Sequence, residues 1–292
     1  MKQGWWVFLF VLLVTWSPES SARKVMYAMP PEPALSESLR FSVVEPTPPP
    51  PQPAKRSGGL ALVVVGPGQF LDEQRRITYR QEFGGGGLAV GLLFGPLGAG
   101  ANAAAVQNAN EKEAGALRGR FPFTPQALMA KALQARGEAS AGAQEARIVP
   151  SLHVTRDQDG RLIFWAIVDV NIGAWNSRYS SLVQGRVPLL DVAQGLPADG
   201  MANLEAAIQA AYARALDTIA ADVAGTLTGF KPMKAELPAL SPRFHNTVRY
   251  EHALLLEDRM IVRGFAGAMP ASPGGLGFMG VLVMPIDAVK LR

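Results

Sequence analysis

Between Arg147 and Ile172 apolar and polar residues alternate with a period of two, the most regular patterning in the chain. Ile148, Pro150, Leu152 and Val154 fall on one side of a first strand, and Asp159-Gly160 supplies a tight turn. Leu162, Phe164, Ala166, Val168, Val170 and Ile172 then share one side of a second strand. Ile163, Trp165 and Ile167 make its opposite side apolar too, so this strand is expected to be central and covered on both faces. A third strand is expected over residues 179–187. The period then changes to 3.6: Leu204, Ile208, Ala211, Tyr212, Ala215, Leu216, Ile219 and Val223 form one stripe of a long helix over residues 202–227. Glu205, Arg214, Asp217 and Asp222 are placed on its solvent side.

Shorter elements flank this centre. Thr124 as N-cap and Pro125 at the first helical position open a helix through Leu128, Met129, Ala132 and Leu133 that stops before Gly137. A weaker helix over residues 103–118 exposes Glu111, Lys112 and Glu113. Residues 60–65 read as a buried strand closed by Gly66-Pro67-Gly68. In residues 75–83, Ile77, Tyr79 and Phe83 alternate with Arg76, Thr78, Arg80 and Glu82, which reads as a half-exposed strand with a locally basic polar face. Past a proline-punctuated connector, residues 231–242, strands are expected over 248–256, 259–263 and 278–284, with Glu257-Asp258 as a turn. The fold class is α+β: a mainly antiparallel sheet packed by one long and one or two shorter helices, with a small C-terminal β appendage. The organisation reads as 1–22 signal peptide, 23–57 proline-rich tether, 58–228 an α+β domain carrying a glycine-rich insertion at 84–110, and 229–292 a β-rich extension.

Composition narrows the setting. Lys2, an apolar run from Trp5 to Trp16 and the small residues Ser20 and Ala22 before Arg23 have the three parts of a secretory signal, expected to be cleaved. Prolines fill six of the eight positions from Pro46 to Pro53, which favours an extended polyproline spacer. A formal net charge of +4, scattered along the chain, is too small an excess to imply nucleic acid. With zero Cys there is no disulfide, no thiolate metal site and no lipid attached through sulfur.

The glycine-rich stretch carries no charge from Phe83 to Asn110. Gly87, Gly91 and Gly95 recur at four-residue spacing, so in a helix they would form a smooth stripe for close approach, with Leu92, Leu93 and Phe94 beside it. These six residues are the candidates for membrane contact or self-association. In water each helical Gly costs about 1 kcal/mol relative to Ala, and Pro96 interrupts the backbone bonding. Three readings stay open: a loop between strand and helix, a membrane-inserting or self-associating hairpin, and a nucleotide-binding loop. The last rests on Gly98, Gly100 and Ala103, which fit G-x-G-x-x-A by spacing but lack the surrounding context.

Candidate chemistry is sparse. His153, His245 and His252 have no metal-ligand spacing, and His153, beside Ser151 and Thr155, is placed on a solvated outer face. No nucleophile elbow occurs; Ser21 and Lys24 have S-x-x-K spacing but straddle the expected cleavage point. Asp169 interrupts the apolar second strand, where the strand is expected to emerge from cover. No catalytic residue, metal ligand or cofactor is assigned. The succession of signal, buried strand, GGGGLAVGLLFGPLGAG, the hairpin RIVPSLHVTRDQDGRLIFWAIVDVNI and the helix LEAAIQAAYARALDTIAADV resembles, in layout, exported proteins and lipoproteins of the Gram-negative envelope with a glycine-zipper-like insertion. The resemblance implies an envelope-associated α/β sandwich, although the acylated cysteine of the lipoproteins is missing. The expected role is a non-enzymatic periplasmic or envelope-associated interaction or assembly module, not lipidated, whose partners are a membrane surface, further copies of itself or an envelope protein. The alternatives are an exported hydrolase using Asp169 or His153, and a periplasmic domain that binds a small ligand.

Overall fold

The computed structural model describes residues 27–32, 34–35, 38–45, 69–80, 108–137, 143–157, 159–236, 247–264 and 280–292. The expected signal peptide, the strand over 60–65, the prolines from 46 to 53 and the glycine-rich residues up to 107 lie outside them. In chain order the strands are β1 (Leu39–Val43), β2 (Gln69–Phe70), β3 (Ile77–Tyr79), β4 (Gln144–Arg156), β5 (Arg161–Ile172), β6 (Trp175–Leu182), β7 (Val187–Pro188), β8 (Lys231–Glu236), β9 (Thr247–Leu255), β10 (Arg259–Arg263), β11 (Val281–Pro285) and β12 (Lys290–Leu291). The helices are α1 (residues 108–117), α2 (Pro125–Arg136), α3 (Leu189–Gln194) and α4 (Ala198–Val223).

All twelve strands of the described residues join one mainly antiparallel sheet in the order β12-β8-β9-β10-β11-β6-β5-β4-β3-β2, with β1 added to β4 and β7 to β5. The chain is therefore α+β, as its patterning implies. The expected hairpin is its centre: β4 pairs β5 from Arg147↔Asn171 to Arg156↔Leu162. The turn between them has Gly160 at φ 75, a conformation an L side chain resists, and Asp157 Oδ1 accepts from the amides of Asp159 (3.0 Å) and Arg161 (2.8 Å). β6 continues the meander but ends at Leu182, short of the expected residue 187, and the chain re-pairs with β5 only as the two-residue β7.

One face of this centre carries the larger core. Leu204, Ile208, Ala211, Tyr212, Ala215, Leu216, Ile219 and Val223 of α4 pack on Phe164, Ala166, Val168 and Val170, all buried. Each large side chain among them contributes about 1.5–3 kcal/mol on burial. α4 starts at Ala198, a turn earlier than the stripe predicts, because Pro197 is tolerated ahead of a first turn; it ends at Val223, before Gly225. α2 begins as expected, Thr124 Oγ1 accepting from the Ala127 amide at 3.2 Å. It lies against α4, with Arg136 paired to Asp217 across the contact.

The other face holds a second cluster. Ile163, Trp165, Ile167 and Leu182 meet Ala235, Tyr250, Ala253, Met260, Val262, Leu282 and Met284. Every buried member of this cluster belongs to a strand of the same sheet, so the sheet curls over this face. A register shift between Lys231 and Met233 accompanies the bend. The expected connector over 231–242 is in fact strand β8 in its first half: Pro232 sits at that irregularity, a place in a sheet where a residue without an N–H is accepted. The C-terminal strands extend the main sheet from the edge of β6, which β11 joins in parallel at Val281↔Tyr179. A Cβ at Gly280, just before β11, would run into the Arg178 carbonyl, so the close approach there needs glycine.

The tether reading also narrows. Residues 39–43 of the expected spacer are strand β1, pairing in parallel with β4 from Leu39↔Gln144 to Val43↔Ile148. Its prolines lie to either side of the strand, which leaves these amides free to pair. Ahead of β1, the Ala28 amide donates to Gly264 O (2.9 Å), Trp175 Nε1 to Met29 O (3.2 Å) and the Leu35 amide to Val223 O (3.0 Å). Residues 27–32 and 34–35 thus belong to a strap laid along the folded body.

Candidate functional site

Gly87, Gly91, Leu92, Leu93, Phe94 and Gly95, the candidates for membrane contact or self-association, lie outside the described residues. The two anchor points of their stretch do not. β3 leads into it at Arg80, whose amide donates to Val154 O at 3.0 Å, and α1 receives it on return. These elements are clamped together: the buried Tyr79 hydroxyl donates to Glu113 Oε2, while Arg156 Nη1 lies 2.7 Å from Glu113 Oε1. Arg118 Nε adds a bond to Phe70 O at 3.3 Å. Glu113, expected on an exposed helix face, is instead the hub of this clamp. Arg76, expected on a solvated face, is buried as well, its amide and that of Ile77 held by the Asp72 carboxylate at 2.7–3.1 Å. Burial lowers the Arg76 pKa.

On the α4 side the sheet holds a buried polar network. Asp222, expected on the solvent side of the helix, is 1% exposed. Its Oδ2 accepts from Tyr179 Oη at 2.6 Å and from Arg263 Nη1 at 3.1 Å, and Arg263 Nη2 reaches Oδ1. Arg263 Nη1 also donates to Ala28 O at 3.0 Å, and the guanidinium lies 4.3 Å from the centre of the Phe230 ring. Burial and the neighbouring carboxylate hold the Tyr179 phenol well above its ordinary pKa, so it remains a donor. Every member has its partners, and the network's work is to fasten the strap to α4 and β10.

The curled face differs. Thr78, His153 and Trp165 form one cross-strand row over β3, β4 and β5, since Thr78 pairs His153 and His153 pairs Trp165. His153, placed by its sequence setting on a solvated face, is fully buried: the face is the expected one, but the curl of the sheet covers it. Its Nδ1 lies 3.0 Å from Thr78 Oγ1. Burial, with the positive charges of Arg80 and Arg178 added, pushes its pKa down to about 3, so the ring is neutral. His153 Nε2, Trp165 Nε1 and Thr155 Oγ1 are buried with no hydrogen-bond partner. Beside the row opens a cleft of about 230 Å³ over Ile163, Leu182, Val183 and Pro285, rimmed by Gln184, Arg186 and Asp287.

Asp169 lies farther along the same face. Arg178 takes both its oxygens, Nε at 2.6 Å from Oδ1 and Nη2 at 2.9 Å from Oδ2, and 42% of the Asp169 side chain remains exposed. The strand does emerge from cover there. Asp169 pairs Val149 while His153 pairs Trp165, so the two residues are not brought together as an acid–base couple. No group of three metal-ligating side chains occurs among the described residues, and no helix among them is long and apolar enough to cross a membrane. Compared with known proteins, the chain matches no family model, no curated protein and no solved structure.

Proposed function

We propose that this protein is a non-enzymatic, envelope-associated interaction or assembly module whose glycine-rich excursion engages a membrane surface or further copies of the chain. The observation that supports this reading is the clamp between Tyr79 and Glu113. It joins the two described elements that flank the uncharged segment, β3 and α1, and Arg156 braces the junction. A helix over residues 83–95 would be about 20 Å long, short of the roughly 30 Å of a bilayer core. A helix of that length would enter from one side or pack on its like without crossing. The stripe of Gly87, Gly91 and Gly95 suits either close contact, and only contacts of that kind offset the helical cost of glycine. The export signal expected at the N-terminus carries the module to the envelope.

The test compares the full chain with a variant lacking residues 84–106 by cell fractionation with carbonate washing and by sizing of the purified mature form. Because the clamp holds the two ends together, the deletion should keep the circular dichroism and urea midpoint of the parent. The full chain is expected with membranes or as an oligomer, and the deletion as a soluble monomer. A full chain that is soluble and monomeric overturns the proposal.

A further inference from the structure

We infer that the buried row Thr78–His153–Trp165, with Thr155 beside it, is a binding site for one hydroxyl-type oxygen, supplied by a water molecule or by the hydroxyl of a small ligand. The inference stands apart from the assembly role, because it uses only the curled face of the sheet.

Chemistry selects the guest. Thr78 Oγ1 lies 3.4 Å from Leu152 O, to which its proton is directed, and 3.0 Å from His153 Nδ1. The site requires His153 as the Nδ1–H tautomer, donating to Thr78 Oγ1, which leaves Nε2 as an acceptor. Trp165 Nε1–H can only donate, and the Thr155 hydroxyl takes either role. One acceptor, one donor and one group of either kind are the complement of an oxygen that carries a proton. A carboxylate has nothing to donate to Nε2. A metal ion would face the indole N–H, with the guanidinium groups of Arg80 and Arg178 acting on the same imidazole.

Placement puts all three side chains on one face of neighbouring strands. His153 and Trp165 are directly opposite, with Cβ atoms about 4.5–5.5 Å apart in such pairs, and Thr155 is the diagonal neighbour of Trp165. A buried water commonly makes about three hydrogen bonds, the number of unpartnered atoms in the row. The cleft adjoins the row along the strands: Ile163 of its lining pairs Thr155, and Leu182 pairs Trp165.

The deciding experiment is Thr155→Val in the full mature chain, followed by thermal unfolding. If an oxygen bridges the row, Val removes one of its partners and the midpoint falls by about 2–4 °C. If the hydroxyl is merely buried without a partner, Val relieves it; a midpoint that rises or stays level overturns the inference. Nitrogen-15 NMR gives a second reading. An Nδ1–H tautomer of His153, with Trp165 indole exchange slowed by at least tenfold and faster in Thr155→Val, supports the site, and the opposite tautomer overturns it. Comparing natively purified protein with protein refolded after dialysis separates the sources. A lower midpoint on refolding, with a small molecule in the denatured extract, identifies a ligand hydroxyl; equal midpoints identify water.

Discussion

On the face of β5 that α4 covers, Tyr179, Asp222 and Arg263 saturate one another and spend a spare guanidinium proton on the Ala28 carbonyl. On the opposite face, a few residues away, His153, Trp165 and Thr155 are equally buried and keep three polar atoms without partners. The contrast is not perfect, since the Ser181 hydroxyl on the α4 side is also unpaired. It still separates two uses of buried polarity. A closed network fixes one arrangement of chain, here the strap against α4 and β10, whereas an open row is a standing capacity to hold something else.

The largest expected effect lies in the closed network. Asp222→Ala leaves the Arg263 charge buried and uncompensated, and should cost about 3–5 kcal/mol in urea unfolding. Replacing both partners together, Asp222→Leu with Arg263→Met, should recover most of that loss. If the single variant lost under about 1 kcal/mol, the two faces would not differ as described.

The next effect is in the open row and depends on pH. The folded-state pKa of His153, about 3, lies below its ordinary 6.5, so the unfolded chain binds the additional proton between those values. Stability from this group is therefore complete above about pH 6.5 and is lost as pH falls toward 3, by up to about 1.4 kcal/mol per pH unit. Besides Thr78, the groups acting on the ring are the cations Arg80 and Arg178, which do not titrate in this window. His153→Leu should flatten the acid limb of a stability–pH curve relative to the parent; parallel curves would show that the imidazole is reached by solvent.

The smallest effect belongs to the exposed end of the same face. Asp169→Asn breaks a bidentate pair, but with 42% of the Asp169 side chain exposed the loss should stay below about 1 kcal/mol and shrink in salt. A loss as large as that of Asp222→Ala would mean that the sheet covers this end too.

The elements legible in the sequence were those whose signal is local. The hairpin of β4 and β5, the capped α2, the α4 stripe and the β9–β10 turn each follow from periodicity and punctuation within a short window. What was not legible depends on distant partners. Asp222 looks like a solvent-facing helical residue until Arg263, 41 positions on, is folded against it. Glu113 meets Tyr79 across 34 positions, and His153 meets Thr78 across 75. β1 and β8 were hidden for another reason, because nearby prolines argue against strands, and only the sheet's own irregularities show where such residues fit. For Gly87, Gly91, Leu92, Leu93, Phe94 and Gly95 the described residues fix the anchor points of the stretch alone.

The parallel pairing of β1 with β4 also sets an order of events as the chain is made. Ser42 and Glu145, bonded across that pair, are 103 positions apart, and β1 has no other strand partner among the described residues. A chain emerging N-terminus first therefore carries residues 39–43 unpaired until β4 has appeared, while β4, β5 and β6 can form from one contiguous length with tight turns. Closing so long a loop is slow relative to forming that meander. The Ala28 end of the strap waits longer still, because its anchors are Gly264 and Arg263. In pulse-labelled hydrogen exchange during refolding, the amide of Ala28 should be the last to gain protection, after that of Leu35, whose acceptor Val223 lies on α4.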